Sequence, residues 1–81
     1  MHRPVHPIEH HEITANLAIA RIAHDVSALV TVTTVDETDH ASSVTGTVVE
    51  IAEGTVYVRE PGVGVWVRPA RDIVEITVRH P

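Results

Sequence analysis

The residues of this chain best suited to contact another molecule are two aromatic and two arginine side chains that alternate with valines. Tyr57 and Arg59 lie in the segment TVYVRE, and Trp66 and Arg68 lie in the segment GVWVRP. Aromatic rings can stack on nucleic-acid bases while arginines contact phosphates. Tyr, Trp and Arg are also the residue types enriched at the energetic centres of protein interfaces. The four side chains therefore indicate a binding surface for protein or for single-stranded nucleic acid.

A hairpin about Pro61-Gly62 is needed to bring these side chains together. With a four-residue loop over residues 60–63, Tyr57 pairs with Trp66, and the neighbouring valines point to the opposite face, as the period of two in strands requires. The ordinary alternative is a cross-strand pair with a structural role only, worth about 0.2–1 kcal/mol. The hypothesis depends on this register, because the surface exists only if Tyr57 faces Trp66.

Histidines near the N-terminus are the second group with possible chemistry. His6 and His10 have the i, i+4 spacing of one helical face, and His11 follows directly. A zinc or nickel site needs three or four ligands, and Pro7 places His6 at or before the start of a helix. We favour a solvated, histidine-rich terminus and expect no cofactor. His6, His10 and His11 remain the metal-binding alternative.

No catalytic constellation is expected. Asp39, His40 and Ser42 lie within one polar stretch, too close in sequence to align a nucleophile, a base and an orienting acid. The acidic loop over residues 36–39 lacks the ligand order and the turn glycine of an EF-hand. The chain has no cysteine, which excludes thiolate catalysis, disulfides and cysteine zinc sites. We therefore expect a protein that is not an enzyme.

Composition is typical of a small soluble domain. The chain has 81 residues and a net charge of −5, a balance that disfavours nonspecific nucleic-acid binding. No apolar run approaches the roughly 18 residues of a membrane span, and the N-terminus lacks the apolar stretch of a signal peptide. We expect a cytoplasmic protein without a membrane partner. All 6 basic residues are arginine, a coding bias typical of GC-rich genomes such as those of actinobacteria and their phages.

Periodicity predicts one helix followed by five short strands. Residues 1–6 read as a flexible N-terminus, residues 7–24 as an α-helix and residues 27–79 as a β-barrel. Gly46, inside the second strand, marks a bend, a bulge or a close backbone approach. Strongly bent strands can close on themselves and so remove exposed edges. The predicted fold class is mainly β with one N-terminal helix, as a five-stranded small antiparallel barrel.

This order of elements resembles the Sm-like and SH3-like group of small barrels. The spacing of Val44, Gly46, Val48 and Ile51 is similar to the first half of the Sm signature, in which a glycine lets the second strand bend. The acidic residue that follows in that family is Ala52 here, and its RNA-contacting asparagine has no counterpart. The resemblance implies a fold and does not imply Sm-type RNA binding.

The predicted helix carries two apolar stripes, although a helix that covers a sheet needs only one. The first includes Ile19 and Ile22, and the second, roughly opposite, consists of Ile13, Leu17 and Ala20. The ordinary alternative is a loosely patterned, alanine-rich helix. We predict that one stripe packs on the sheet and that Ile13, Leu17 and Ala20 mediate self-association across a two-fold axis.

These features together predict a non-enzymatic protein-binding or regulatory module that forms a homodimer, with an actinobacterial or phage accessory protein as one possibility. A protein partner is favoured because the net charge of −5 disfavours phosphate. The leading alternative is a barrel that binds single-stranded nucleic acid through the face of Tyr57, Trp66 and the two arginines.

Overall fold

A computed structural model describes residues 10–79 of the chain. One helix precedes five strands, and a single 3₁₀ turn separates the last two strands. The elements are α1 (His10–Val26), β1 (Leu29–Val35), β2 (Ala41–Ala52), β3 (Thr55–Glu60), β4 (Gly64–Pro69), the 3₁₀ turn (Ala70–Asp72) and β5 (Ile73–Arg79). Residues 1–9 lie outside the described part, as does the predicted start of the helix at residue 7.

The strands form one antiparallel sheet in the order β4-β3-β2-β1-β5. The predicted mainly β fold with five antiparallel strands and one helix is thus confirmed. In this sheet β4 pairs only with β3, and β5 pairs only with β1, so the sheet is open. The closed barrel of the prediction is not observed, and β4 and β5 are edge strands.

The core lies between the inner face of the sheet and one face of α1. Branched aliphatic side chains from the strands meet two alanines of the helix. The buried cluster consists of Ala20, Ala23, Val30, Val32, Val44, Val48, Val56, Val58, Ile73 and Ile76. The amide Nδ2 of Asn16 donates a hydrogen bond of 3.1 Å to the carbonyl oxygen of Ile73, which ties the helix to the start of β5.

The helix packs residues of both predicted stripes against the sheet, Leu17 and Ala20 from the second stripe and Ile19 from the first. Ala20 is fully buried, and Leu17 packs against the core. Ile22 and Val26 are instead 62% and 65% exposed. Ala20 and Leu17 thus contact the sheet, while Ile13 is partly exposed, and self-association through these three residues stays a prediction. Small alanine side chains let the helix backbone approach the sheet, and Ile22 and Val26 remain outside.

Close backbone contact explains the glycine inside β2. A Cβ atom built at Gly46 would overlap the carbonyl oxygen of Arg59 in β3. Two register shifts also bend the sheet, one in β2 between Val48 and Glu50 and one opposite Thr33 and Thr34 of β1. Bulges of this kind increase the local twist of a strand. Of the three interpretations offered for Gly46, close approach is confirmed.

Candidate functional site

The loop between β3 and β4 determines which side chains share a face. The N–H of Val63 donates a hydrogen bond of 3.0 Å to the carbonyl oxygen of Glu60, and Gly62 has a φ of 81°. This is the geometry of a type II turn with Pro61 at its second position, where a glycine is favoured next. Gly64, at φ 140°, pairs with Glu60 and begins β4. Residues 61–63 thus form the loop.

This loop shifts the register by one residue from the predicted one. Tyr57 pairs with Val67, and Trp66 pairs with Val58. Because side chains alternate along a strand, a shift of one residue moves every β4 side chain to the other face. The predicted pairing of Tyr57 with Trp66 is wrong. Tyr57 and Arg59 lie on the outer face of the sheet, and Trp66 and Arg68 lie on the inner face.

The outer face of the hairpin carries two exposed valines beside Tyr57 and Arg59. Arg59 pairs with Val65, and Tyr57 pairs with Val67; we call these four residues the outer hairpin surface. Val65 is 52% exposed and Val67 is 51% exposed, and Val63, in the loop, is 63% exposed. Apolar side chains so open on an edge strand are a common feature of interaction surfaces.

The inner half of the hairpin holds a stacked polar cluster at the rim of the core. Trp66 is half-buried against the core, and its Nε1 donates a hydrogen bond of 2.7 Å to Oε1 of Glu60. The Cζ atom of Arg68 lies 5.0 Å from the centroid of the Trp66 ring. A cation over an indole face is worth about 0.5–2 kcal/mol. The tryptophan is therefore held between a carboxylate at its edge and a guanidinium on its face.

The guanidinium of Arg68 uses only some of its hydrogen-bond donors. Its Nη1 donates to the carbonyl oxygen of Val67 at 3.1 Å. Its Nε is buried and has no acceptor. Among residues 10–79, Arg68 has no carboxylate partner within 4.0 Å.

The loop after β1 is organised by one carboxylate. Oδ1 of Asp36 accepts hydrogen bonds from the N–H of His40 at 2.9 Å, and from the hydroxyl and N–H of Thr38 at 2.8 and 2.9 Å. These bonds, led by the one from the His40 backbone, hold the pKa of Asp36 below its ordinary value. The Nδ1 of His40 lies 2.7 Å from the Thr38 hydroxyl, and the Ser42 hydroxyl lies 3.3 Å from that of Thr34. His40 and Ser42 are thus engaged separately.

The metal-binding alternative falls mostly outside the described residues. His6 is not described, the side chain of His10 is not described, and His11 is exposed. Within residues 10–79, no group of three or more His, Asp or Glu side chains is arranged to hold a metal ion. In the same part of the chain, no helix has the length and apolar character needed to cross a membrane.

The chain matches no protein-family model, no curated protein and no solved structure.

Sequence reasoning missed the valines of the outer hairpin surface. Under the predicted register, Val65 and Val67 point into the core, yet both are half exposed. The signal that would have found them is Gly64, which is separated from Pro61-Gly62 by Val63 alone. A second glycine with positive φ after a type II turn lets the loop close over three residues, 61–63, in place of the predicted four, and this changes the register by one residue.

Proposed function

We propose that this protein is a non-enzymatic protein-binding module that binds through the free edge of β4, and that a second copy of the chain occupies this edge when no other partner is present. The supporting observation is the exposure of Val65 and Val67, at 52% and 51%, on a strand that pairs on one side only. An edge strand presents unpaired backbone N–H and C=O groups to any extended polypeptide.

The contrast between the two edge strands supports the choice of β4. Along β5, the outer-face positions are Glu75, Thr77 and Arg79, so two charges of opposite sign alternate with a threonine. Charged side chains on an edge are a common protection against strand addition. The corresponding positions of β4 are Val65 and Val67. The β4 edge lacks the protection that the β5 edge has.

A second copy fits this edge because the strand is complementary to itself. Antiparallel pairing about a two-fold axis at Trp66 places Val65 of one copy opposite Val67 of the other, twice. Full burial of a valine contributes about 1.5–3 kcal/mol, so four half-exposed valines contribute about 4 kcal/mol. Each added backbone hydrogen bond contributes about 0.5–1.5 kcal/mol. Association costs at least about 4 kcal/mol. We therefore expect a weak dimer, with a Kd on the order of 100 μM.

Salt gives this association a distinctive signature. Two copies that each carry a net charge of −5 repel each other, and salt screens that repulsion. Dimerisation is expected to strengthen as salt rises. Binding to nucleic acid weakens under the same change, because it depends on counterion release.

We also infer a relation to the Sm-like and SH3-like small barrels from the order of the elements. One helix precedes five antiparallel strands, and only the 3₁₀ turn Ala70–Asp72 separates the edge strands β4 and β5. That short connection brings one end of β4 near the start of β5. In a closed barrel, β4 would pair with β5 of the same chain. In the open sheet, the free edge of β4 can pair with a strand of a partner.

The experiment that tests the proposed function is the molar mass by light scattering from about 5 μM to about 1 mM. The wild-type mass is expected to rise toward that of a dimer, and Val65→Glu is expected to stay monomeric. Ile22→Glu is the matched control, because Ile22 is an exposed aliphatic residue on the helix, 62% accessible. It is expected to associate as the wild type does.

Two results would contradict the proposal. One is a wild-type protein that remains monomeric at about 1 mM. The other is a reversal of the two variants, in which Ile22→Glu abolishes association and Val65→Glu does not. The helix would then be the interface.

A further inference from the structure

A cleft lies between the loop after β1 and the end of β4 with its 3₁₀ turn. Its volume is about 540 Å³, within the range of small-ligand sites. Val35 and Val67 supply apolar walls, and Arg68 and Arg71 supply two cations. The cleft adjoins the β4 edge, because Val67, Arg68 and Pro69 belong to β4 and also line the cleft.

The two arginines lack an anionic partner in the described part of the chain. Neither Arg68 nor Arg71 has a carboxylate within 4.0 Å among residues 10–79. The Nε of Arg68 is covered and has no acceptor, which is an unfavourable state for a buried polar group. A turn of the guanidinium away from the Trp66 ring, toward an acceptor in the cleft, would relieve that cost. Arginine presents a planar fork of donors that matches the two oxygens of a carboxylate.

Acidic side chains on the other walls restrict the kind of anion. Asp36, Glu37 and Asp72 also line the cleft. Their three negative charges outnumber the two guanidinium groups, so a doubly charged phosphate or a polyanion meets net repulsion. An anionic group with one negative charge meets less repulsion, and a single arginine guanidinium can pair with it. Hydrogen bonds from the loop already occupy Oδ1 of Asp36, which keeps that carboxylate in place.

We propose that this cleft binds a single carboxylate group of a ligand, held by the guanidinium of Arg68 with Arg71 as a second cation. The C-terminal carboxylate of a peptide and the side-chain carboxylate of an acidic residue offer the same chemistry. A second copy on the β4 edge would lie beside Val67 and Arg68, so the site is tested in a protein without that association. The Val65→Glu protein, in which that edge is expected to be blocked, is therefore a suitable background.

The test is a titration followed by the fluorescence of Trp66, the only tryptophan in the chain. Movement of Arg68 off the indole ring is expected to change the emission. The probes are N-acetyl-dialanine, N-acetyl-dialanine amide, N-acetyl-glutamate amide and inorganic phosphate. At least one of the two carboxylate probes is expected to saturate with a Kd on the order of 1 mM, and the uncharged amide is expected to give no change. The carboxylate probe that binds more tightly shows whether the site prefers a C-terminal carboxylate or an acidic side chain.

Variants assign the effect to the arginines. Arg68→Gln is expected to weaken binding about tenfold or more, and Arg68→Lys to weaken it less, since lysine keeps the charge without the fork. Arg71→Gln, at an exposed position, is expected to weaken binding several-fold and to fold normally. Arg59→Gln, on the outer face of the same hairpin, is the matched control and is expected to bind as its parent does. Amide chemical shifts of residues 34–42 and 70–72 give a second readout that does not depend on the indole.

Three outcomes would overturn the inference. The first is that neither carboxylate probe saturates. The second is that the amide or phosphate binds at least as tightly as the better carboxylate. The third is that Arg68→Gln and Arg71→Gln bind that carboxylate as their parent does.

Discussion

Trp66 lies directly opposite Val58 in the β3–β4 pair, so its indole shares the inner face of the sheet with a fully buried valine. That position makes the only tryptophan part of the rim of the core and not of the exposed surface. It also separates the indole from Tyr57, which lies on the outer face.

Separation of the two rings predicts that single-stranded nucleic acid does not bind through them. Base stacking on a β-sheet needs aromatic side chains on one face, and Tyr57 and Trp66 are on opposite faces. Addition of single-stranded DNA or RNA oligonucleotides at low salt is expected to leave Trp66 fluorescence unchanged. Saturable quenching that disappears as salt rises would restore the nucleic-acid alternative.

The placement of the helix predicts different effects for two of its aliphatic residues. Leu17 packs against the core, whereas Ile22 is 62% exposed. Leu17→Ala is expected to lower the free energy of unfolding by about 1–2 kcal/mol, and Ile22→Ala to change it by less than about 0.5 kcal/mol. Urea denaturation measures both. Equal effects would mean that the helix presents a different face to the sheet.

Contact between β2 and β3 predicts that Gly46 does not tolerate a side chain. A Cβ at this position would overlap the carbonyl oxygen of Arg59, which is backbone and cannot turn aside. Gly46→Ala is expected to lower the free energy of unfolding by about 3 kcal/mol. Gly54→Ala is the control, because it meets no atom within 4 Å and bears only the strain of a φ of 74°. Its expected cost is about 1 kcal/mol, and a larger cost at Gly54 than at Gly46 would refute the packing argument.

The carboxylate of Asp36 predicts a pH-dependent loop. Its pKa is lowered by hydrogen bonds from the His40 N–H and from Thr38. A lowered pKa means that the order of the loop is present above the ordinary aspartate pKa and is lost as pH falls through the lowered value. The amide resonances of Thr38 and His40 are expected to titrate with a midpoint below the ordinary value for aspartate. Asp36→Asn is expected to remove that titration, and a midpoint above the ordinary value would contradict the assignment.

Local patterns were sufficient to predict the elements of the fold. The valine- and threonine-rich strands alternate with period two, and the helix lies N-terminal to them, as the structure has them. The end of the helix and the start of β1 differ by two residues from the predicted bounds, because Ser27 adopts a left-handed φ of 55° between them. The closure of the barrel is a property of the whole sheet, and no local pattern determines it.

The candidate surface was much harder to predict, because register depends on single residues. The loop has three residues, 61–63, in place of the predicted four, and this difference exchanged the faces of Trp66 and the β4 valines. In β5, the bulge opposite Thr33 and Thr34 places Ile73 in the core and leaves Val74 41% exposed. Simple alternation cannot anticipate either shift, since both arise from a local irregularity of the backbone.

The central claim, that the β4 edge binds a second copy, is tested most directly by amide hydrogen exchange at two protein concentrations. Residues 64–69 are expected to gain protection between about 5 μM and about 1 mM, while β5, the other edge strand, exchanges at the same rate at both. The Val65→Glu variant is expected to lose the gain in β4. Exchange in β4 that does not change with concentration, or protection gained in β5 or α1 instead, would contradict the account.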